Sequence, residues 1–203
     1  MNGLLAVVIA YVLGAIPFGY LVVKFSTGKD VRASGSGNIG ATNVLRTTGK
    51  APAAITLLLD IAKGFAAVWI AAALTESTPA SEPLWTSLAA LAVMAGHAYP
   101  VFLRFQGGKA VASFIGAFLY LTPAPMLTAL LLFVLVVAGT RYISAGSVIA
   151  AGTFPLGVWL ILHPPVEVLL ASAIAGVFIV VRHKANLERI HEGNENVFRW
   201  NKR

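Results

Sequence analysis

Long apolar runs constrain the fold of this chain more than any other feature of its sequence. A helix that crosses a membrane needs about 20 predominantly apolar residues, and runs near that length recur along the 203 residues. Polar, Pro-rich or Gly-rich connections separate these runs, which cover residues 3–24, 53–74, 84–103, 110–122, 125–140, 143–162 and 165–182. The composition agrees, since 58% of the residues are apolar and the mean hydropathy is +0.80. We therefore predict one all-α, polytopic membrane domain over residues 1–203, with about seven transmembrane helices.

The stretch 110–140 allows two interpretations. About 13 residues precede Pro123, which is fewer than a full crossing normally needs. A single long helix here would put Arg141 and the basic C-terminal segment outside the cell, so we reject that possibility. Two short crossings and a re-entrant hairpin both keep the C-terminus on the same side, and the sequence leaves both open.

Basic residues lie on one side of the predicted membrane. Of the fifteen Lys and Arg residues, all but Lys63 lie in the connections 24–50 and 104–109, at Arg141 or after Val181. The alternate connections contain no basic residue, and their acidic residues are Glu76, Glu82 and Glu167. Basic loops tend to stay in the cytoplasm. We therefore expect the N-terminus outside and the C-terminus in the cytoplasm.

The composition also excludes several kinds of function. The chain has no Cys, which excludes disulfides, thiol nucleophiles and Cys-ligated metals. The net charge of +7 is explained by asymmetric loop charge, so we predict contact with a lipid bilayer and no nucleic-acid partner. No basic residue precedes Lys24, and the first apolar run is too long for a signal peptide, so we expect it to remain as a membrane helix.

A first polar cluster spans Ser34–Lys50 and contains the hexamer GSGNIG. The hexamer matches the G-x-G-x-x-G of dinucleotide-binding proteins, but the residues before it are polar rather than a buried strand, so that interpretation fails. The cluster is rich in Gly, Ser, Asn and Thr, and its second part is typical of a short helix ending at Gly49. Asn43 and Arg46 would share one face of that helix.

A second cluster, residues 96–112, reads GHAYPVFLRFQGGKAVA. It is no Walker A loop, because Leu103 stands where the first glycine should be and Ala110 replaces the magnesium-binding hydroxyl residue. Gly107, Gly108 and Lys109 at the start of a helix nevertheless favour anion binding. His97 is as typical of a structural hydrogen bond as of a functional group.

The third cluster, residues 182–198, follows the last apolar run. In a continuous helix Arg182, Asn186 and Arg189 would point to one surface. A basic tail that binds anionic lipid is the alternative, but the central Asn and the nearby Glu195 favour a binding site.

Two charged residues lie inside the second apolar run. Asp60 and Lys63 are spaced to neutralise each other, and charges within a membrane segment are candidates for function. A structural ion pair that supports the site is the equal alternative.

Together, SGNIGATNVLRTTGK, GHAYPVFLRFQGGKAVA and RHKANLERIHEGNEN resemble the three signature segments of the bacterial acyl-phosphate-dependent glycerol-3-phosphate acyltransferases. The connectors LLDIAKG and RYISAGS also match, in order, so the resemblance covers nearly the whole chain. It implies a seven-helix enzyme of the bacterial inner (plasma) membrane with its active site on the cytoplasmic side. The implied reaction moves an acyl chain from acyl phosphate to the 1-hydroxyl of sn-glycerol 3-phosphate, giving lysophosphatidic acid and inorganic phosphate.

The resemblance also implies roles for individual residues. Phosphate binding is implied for Arg46 and Lys109. The floor of the site would be formed by Ser36, Gly37, Asn38, Thr42 and Asn43. Gly107 and Gly108 would offer backbone N–H groups to the acyl-phosphate anion. Glycerol phosphate would be held by His183, Asn186, Arg189 and Glu195, with Ser144 closing the pocket.

The chemistry implied is direct attack without a covalent acyl-enzyme, because neither Cys nor a Ser–His–Asp set is available. A phosphate oxygen of the donor would accept the proton, with His97 or His183 as the alternative base. We expect no metal, no cofactor and no obligate protein partner. The alternative function is a membrane transporter of a phosphorylated solute, but the crowding of polar groups on one side argues against a two-sided path.

Overall fold

The computed structural model describes residues 1–76 and 81–198, and the regular secondary structure of these residues is helical, with no β-strand among them. The prediction of an all-α membrane protein is confirmed. The α-helices are α1 (Asn2–Ala15), α2 (Phe18–Thr27), α3 (Ala41–Thr47), α4 (Lys50–Thr75), α5 (Glu82–Ala98), α6 (Val111–Leu121), α7 (Pro123–Thr140), α8 (Ile143–Leu162), α9 (Val166–Arg182) and α10 (Lys184–His191). Short 3-10 turns cover Val31–Ala33 and Val101–Leu103.

Candidate membrane spans number five within the described residues, or six if a bent helix pair is one span. The five are Asn2–Thr27, Lys50–Thr75, Glu82–Leu103, Pro123–Thr140 and Ile143–Leu162, and the pair is α9 with α10, bent by 51°. Helix α6 has only 11 residues, about half of a normal crossing. About seven crossings therefore stays a prediction. Residues 110–140 form two helices separated at Thr122, which confirms the rejection of one long helix.

The first apolar run is broken at Pro17. Ile16 has an extended backbone with ψ 113°, as expected for a residue before proline, and α2 begins at Phe18. The apolar run 3–24 predicted one uninterrupted span, so the break is a difference from that prediction. It matters because the Ile16 carbonyl lies where the regular helical pattern stops, and the Lys63 ammonium donates to it at 2.8 Å.

The chain divides into two compact units, Met1–Leu121 and Thr122–Arg203. Close helix contacts in the first unit depend on glycine. A Cβ at Gly14 would collide with the backbone of Val93, and one at Gly116 would collide with the carbonyl of Ile61. Small residues at such positions let membrane helices approach closely. Helix α1 thus packs on α5, and α4 packs on α6.

The second unit contains α7 to α10. Helix α8 packs between α7 and α9, and its Gly146 lies against Phe133 of α7. Beyond α10 the chain returns to the start of α8, where the Phe198 N–H donates to the Arg141 carbonyl at 2.7 Å. That return brings the segment after α10 to the first turn of α8. The expectation of one domain over residues 1–203 stays a prediction.

Candidate functional site

The loop before α3 is wound around one buried side chain, Asn43. Its Nδ2 lies 3.2 Å from the carbonyl of Val31, 3.1 Å from that of Ser34 and 2.8 Å from that of Asn38. Its Oδ1 accepts the N–H of Ser36 at 2.9 Å. Because both ends of the amide are used within the loop, Asn43 holds the shape of the loop from inside.

The tip of this loop is exposed. Ser36 and Gly37 are open to the surroundings, and Gly37 has φ +70°, a conformation that favours glycine. Asn38 stabilises the turn into α3, since its Oδ1 accepts the N–H of Gly40 at 2.8 Å. Thr42 in the first turn and Arg46 in the last turn of α3 are both half-buried. The predicted short helix is confirmed, although it ends at Thr47 rather than at Gly49.

The turn that joins α5 to α6 corrects one expectation. The N–H of Gly107 donates to the Ala98 carbonyl at 3.1 Å, and the N–H of Gly108 donates to the His97 carbonyl at 3.0 Å. The expectation that these two N–H groups offer themselves to the acyl-phosphate anion is therefore wrong in this conformation. The physical reason is that the turn folds back on the end of α5, so main-chain carbonyls already take both N–H groups.

Close packing explains both glycines. A Cβ at Gly107 would collide with the His97 carbonyl, and a Cβ at Gly108 would collide with Nε2 of the His97 ring. Lys109 follows directly and is half-buried. Helix α6 begins at Val111, which confirms that Lys109 lies at a helix start, where the helix dipole favours anions.

A buried charged cluster lies beneath that turn. Lys63 Nζ is 2.9 Å from Asp60 Oδ1, which confirms the predicted neutralising pair. His97 Nδ1 lies 3.5 Å from the same carboxylate oxygen and 3.1 Å from the hydroxyl of Ser113. Asp60 is 2%, Lys63 5% and His97 3% exposed. Burial and the hydrogen bond to Ser113 hold the His97 ring in one orientation. Its role as a base stays a prediction.

In the second unit the polar residues converge on Glu195. Its Oε1 accepts the Ser144 hydroxyl at 2.9 Å and the Asn186 amide at 2.7 Å, while its Oε2 accepts Arg189 Nε at 2.8 Å. Ser144, Asn186 and Glu195 are buried. The structure thus brings together four of the predicted residues, and it gives Glu195 the position of a common acceptor.

The environment of Glu195 favours its charged form. Burial by itself would raise the pKa of Glu195, but the hydrogen bonds from Asn186, Ser144 and Arg189 and the charge of Arg189 outweigh it and lower that pKa. The carboxylate is therefore ionised at neutral pH and holds Arg189 in place. The Arg189 side chain remains 37% exposed.

His183 lies at the bend between α9 and α10. Its Nδ1 is 2.8 Å from the Ile179 carbonyl, and because a carbonyl only accepts, Nδ1 carries the proton and Nε2 is an acceptor in the neutral ring. The bend corrects another expectation, since Arg182 ends α9 whereas Asn186 and Arg189 belong to α10. The three residues therefore do not follow one continuous helix.

The predicted residues fall into two groups. The first unit contains Ser36, Gly37, Asn38, Thr42, Asn43, Arg46, His97, Gly107, Gly108 and Lys109, and the second contains Ser144, His183, Asn186, Arg189 and Glu195. That both groups act on the same substrates stays a prediction. Sequence reasoning missed Ser113, because nothing in a spacing along the chain links it to His97. In the part of the chain that the structure describes, no three His, Asp or Glu side chains form a metal-binding group.

Known proteins resemble this chain over almost its full length. A family model described as "Glycerol-3-phosphate acyltransferase" matches residues 4–193. Glycerol-3-phosphate acyltransferase of Geobacter sulfurreducens is 45% identical over 98% of this chain and 99% of that relative. The same-named protein of Desulforamulus reducens is 44% identical over 92% of this chain and 90% of its own.

A solved structure shares the fold. The crystal structure of PlsY (YgiH), an integral membrane glycerol 3-phosphate acyltransferase in its glycerol 3-phosphate form, superposes with a TM-score of 0.90 and 35% identity. The alignment covers 98% of this chain and 96% of that one. The lysophosphatidic acid form of PlsY superposes with a TM-score of 0.87 at 33% identity, with the same coverage of both chains.

Proposed function

Because the chain belongs to the glycerol-3-phosphate acyltransferase family, we propose that it transfers an acyl chain from acyl phosphate to the 1-hydroxyl of sn-glycerol 3-phosphate. The hydroxyl oxygen attacks the acyl carbonyl carbon, the bond from that carbon to the phosphate oxygen breaks, and the hydroxyl proton leaves on the released phosphate. The products are lysophosphatidic acid and inorganic phosphate. The match to the family over residues 4–193 is the observation that carries this proposal.

Phosphate repulsion is the main obstacle that the protein must overcome. Each substrate carries close to two negative charges, so cations have to bring them together. We assign Arg46 and Lys109 to phosphate binding, with Ser36, Gly37, Asn38 and Thr42 forming the floor. Arg189, held through Nε by Glu195, offers its terminal nitrogens to glycerol phosphate. Glu195, Ser144 and Asn186 then serve by holding Arg189.

The proton of the attacking hydroxyl needs an acceptor. An acyl phosphate is an activated donor, and bringing it beside the hydroxyl in near-attack geometry contributes about 7–11 kcal/mol. We propose that a phosphate oxygen of the donor accepts the proton. His183 is the alternative base, because its Nε2 is an acceptor when Nδ1 donates to Ile179. His97 is less suited, since its ring is buried against Gly108, Asp60 and Ser113.

The reaction needs no cofactor, and we propose that it needs no metal. Lys and Arg side chains supply the positive charge that a metal would otherwise bring to the phosphates. The enzyme would work without an obligate protein partner. Its acyl substrate would reach the site from the apolar phase around the helices, which is a bilayer in the cell and a detergent micelle in the assay.

We also propose seven crossings in the bacterial inner membrane, with the N-terminus outside and the active site and C-terminus in the cytoplasm. The distribution of basic residues supports this orientation. The chain has no Cys, so single cysteines introduced at Ser36 and at Glu192 are unique reporters. Both should react with a membrane-impermeant maleimide only in inverted vesicles. Labelling of either from the outside contradicts the orientation.

The activity is tested with purified protein in detergent, acyl phosphate and radiolabelled glycerol 3-phosphate. We expect labelled lysophosphatidic acid without a sealed compartment, and the rate should be unchanged by EDTA. A transporter of a phosphorylated solute would form no product. Product from an acyl thioester but not from acyl phosphate would overturn the proposed donor.

The assigned cations are tested in the same assay. Arg46→Ala and Lys109→Ala should each lower kcat/KM by about 10²-fold or more, the loss typical of one charge-stabilising group. Lys29→Ala removes an exposed charge outside the assigned set and is the matched control. Wild-type turnover in either test variant would overturn its assignment.

A further inference from the structure

The charged cluster inside the first unit has no part in the reaction as proposed so far. Asp60, Lys63 and His97 are all buried, and they belong to helices α4 and α5. Charged side chains within a membrane segment are costly to keep. Their contacts show what each one does.

Lys63 supports the break in the first span. Its ammonium donates to the Ile16 carbonyl at 2.8 Å and pairs with Asp60 at 2.9 Å. The carbonyl of Ile16 lies at the break before Pro17 and also accepts the Phe18 N–H at 3.1 Å. Lys63 therefore joins α4 to the break between α1 and α2.

Asp60 also lies next to His97, a contact that the pairing with Lys63 does not require. The same carboxylate oxygen lies 3.5 Å from His97 Nδ1, and the Ser113 hydroxyl lies 3.1 Å from that nitrogen. Groups from α4 and α6 thus face one nitrogen of a ring carried by α5. At 3.5 Å the carboxylate acts on the ring through its charge rather than through a hydrogen bond. Its negative charge favours the tautomer with the proton on Nδ1, and that N–H then donates to the Ser113 hydroxyl.

The other side of His97 meets the turn that precedes Lys109. The His97 carbonyl accepts the Gly108 N–H at 3.0 Å, and Nε2 of the ring lies so close to Gly108 that no Cβ fits between them. The ring is therefore the support on which this turn rests. A rotation of the ring would displace Gly108 and, with it, the next residue, Lys109.

We propose that Asp60 is a positioning residue for acyl transfer: it fixes the imidazole of His97 under Gly108 and so sets the position of Lys109 at the start of α6. The inference rests on the proposed function of Lys109. It separates two tasks within one ion pair, because Lys63 secures the helix break and Asp60 orients the ring. His97 acts here through its shape and its Nδ1–H.

The first test uses the wild-type protein and needs no catalysis. Protein labelled with ¹⁵N in its histidine rings is examined by NMR, and the resonances of His97 are identified by their loss in His97→Gln. We expect a protonated Nδ1 and an unprotonated Nε2 at neutral pH. An unprotonated Nδ1 would overturn the proposal, because the carboxylate would then face a nitrogen lone pair instead of an N–H.

The second test separates positioning from simple charge balance. Asp60→Leu leaves Lys63 without its counter-charge, whereas the double variant Asp60→Leu with Lys63→Gln is neutral again. Lys63→Gln alone is the reference, because it already lacks the ammonium that donates to the Ile16 carbonyl. If Asp60 only neutralised Lys63, the double variant would have at least the kcat of Lys63→Gln. We expect instead a kcat about 10²-fold below that of Lys63→Gln, the loss expected from a displacement of about 1 Å at a reacting centre.

Thr75→Val is the matched control, since it removes a buried polar group at the far end of α4 and should leave kcat unchanged. A kcat of the double variant equal to or above that of Lys63→Gln refutes the positioning role while the proposed function stands. Absence of product from the wild-type protein refutes the proposed function, and the NMR measurement still decides whether Asp60 orients His97.

Discussion

Glu195→Gln tests the polar core of the second unit most directly. The carboxylate accepts from Ser144 and Asn186 at Oε1 and from Arg189 at Oε2. In the variant, the amide oxygen can replace Oε1, but the amide nitrogen then faces Arg189 Nε, and two donors oppose each other. The change keeps the shape of the side chain and removes one acceptor and one charge.

The size of the effect follows from these contacts. A hydrogen bond to a charged group contributes about 1.5–3 kcal/mol, and the Arg189 contact belongs at the lower end because that side chain is 37% exposed. The two bonds at Oε1 persist but lose the charge, which weakens each by about 0.5 kcal/mol. The expected loss is about 2.5 kcal/mol in the free energy of unfolding. For a chain of this size that corresponds to a Tm lower by about 5–10 °C.

Thermal melting followed by tryptophan fluorescence measures this loss. Glu188→Gln is the matched control, because it changes an exposed carboxylate of α10 whose partner Lys184 is 3.9 Å away. Such a surface pair contributes about 0–1 kcal/mol. The control should therefore melt close to the wild type.

Acid gives the sharpest refutation. The pKa of Glu195 is lowered in the folded protein, so its stabilisation is complete above the ordinary glutamate pKa of about 4.3. That stabilisation is lost as the pH falls through the lowered value. The Tm difference between wild type and Glu195→Gln should shrink over that acid range. A difference that stays constant with pH, or is absent at pH 7, would refute the reasoning.

Two further predictions concern the first unit. Gly116→Ala places a Cβ against the backbone of Ile61 and Phe65, so we expect the free energy of unfolding to fall by about 1–3 kcal/mol from overpacking. Gly157→Ala is the control, because the space around its Cα is open, and it should not lower the Tm. Equal melting of the two variants would contradict the close contact at Gly116. Asn43→Asp keeps an acceptor for the Ser36 N–H but cannot donate to the three carbonyls around it, so the Tm should fall by an amount equivalent to about 1–3 kcal/mol and limited proteolysis should cut within residues 31–40. Asn194→Asp, on an exposed residue, is its control, and an uncut, wild-type-like Asn43→Asp protein would rule out the winding of the loop around this side chain.

Helix positions were largely predictable because their signals are local. The predicted span 143–162 coincides with α8, and the predicted span 165–182 begins one residue before α9. The lengths of apolar runs, with Pro and Gly at their ends, determine such bounds. The pairing of Asp60 with Lys63 was predictable for the same reason, since one helical turn brings them together.

Contacts between distant segments were not predictable. Asp60, His97 and Ser113 belong to three helices, and only the rotation of each helix about its axis decides that their polar groups meet. The expectation for Gly107 and Gly108 failed in the same way, since a Gly–Gly–Lys turn can offer its N–H groups to an anion or to the chain itself. Because the turn folds back onto the end of α5, both N–H groups donate to main-chain carbonyls.

The sequence by itself determined an all-helical membrane protein, the approximate ends of its helices and the residues that its family resemblance marks for phosphate chemistry. These properties depend on hydrophobic length and on residue type, which a linear chain displays directly. Only the tertiary structure decided that Glu195 gathers Ser144, Asn186 and Arg189, and that His97 supports the turn before Lys109. The physical reason is that a buried polar group must find a partner, and the identity of that partner depends on how closely glycine and alanine let the helices approach.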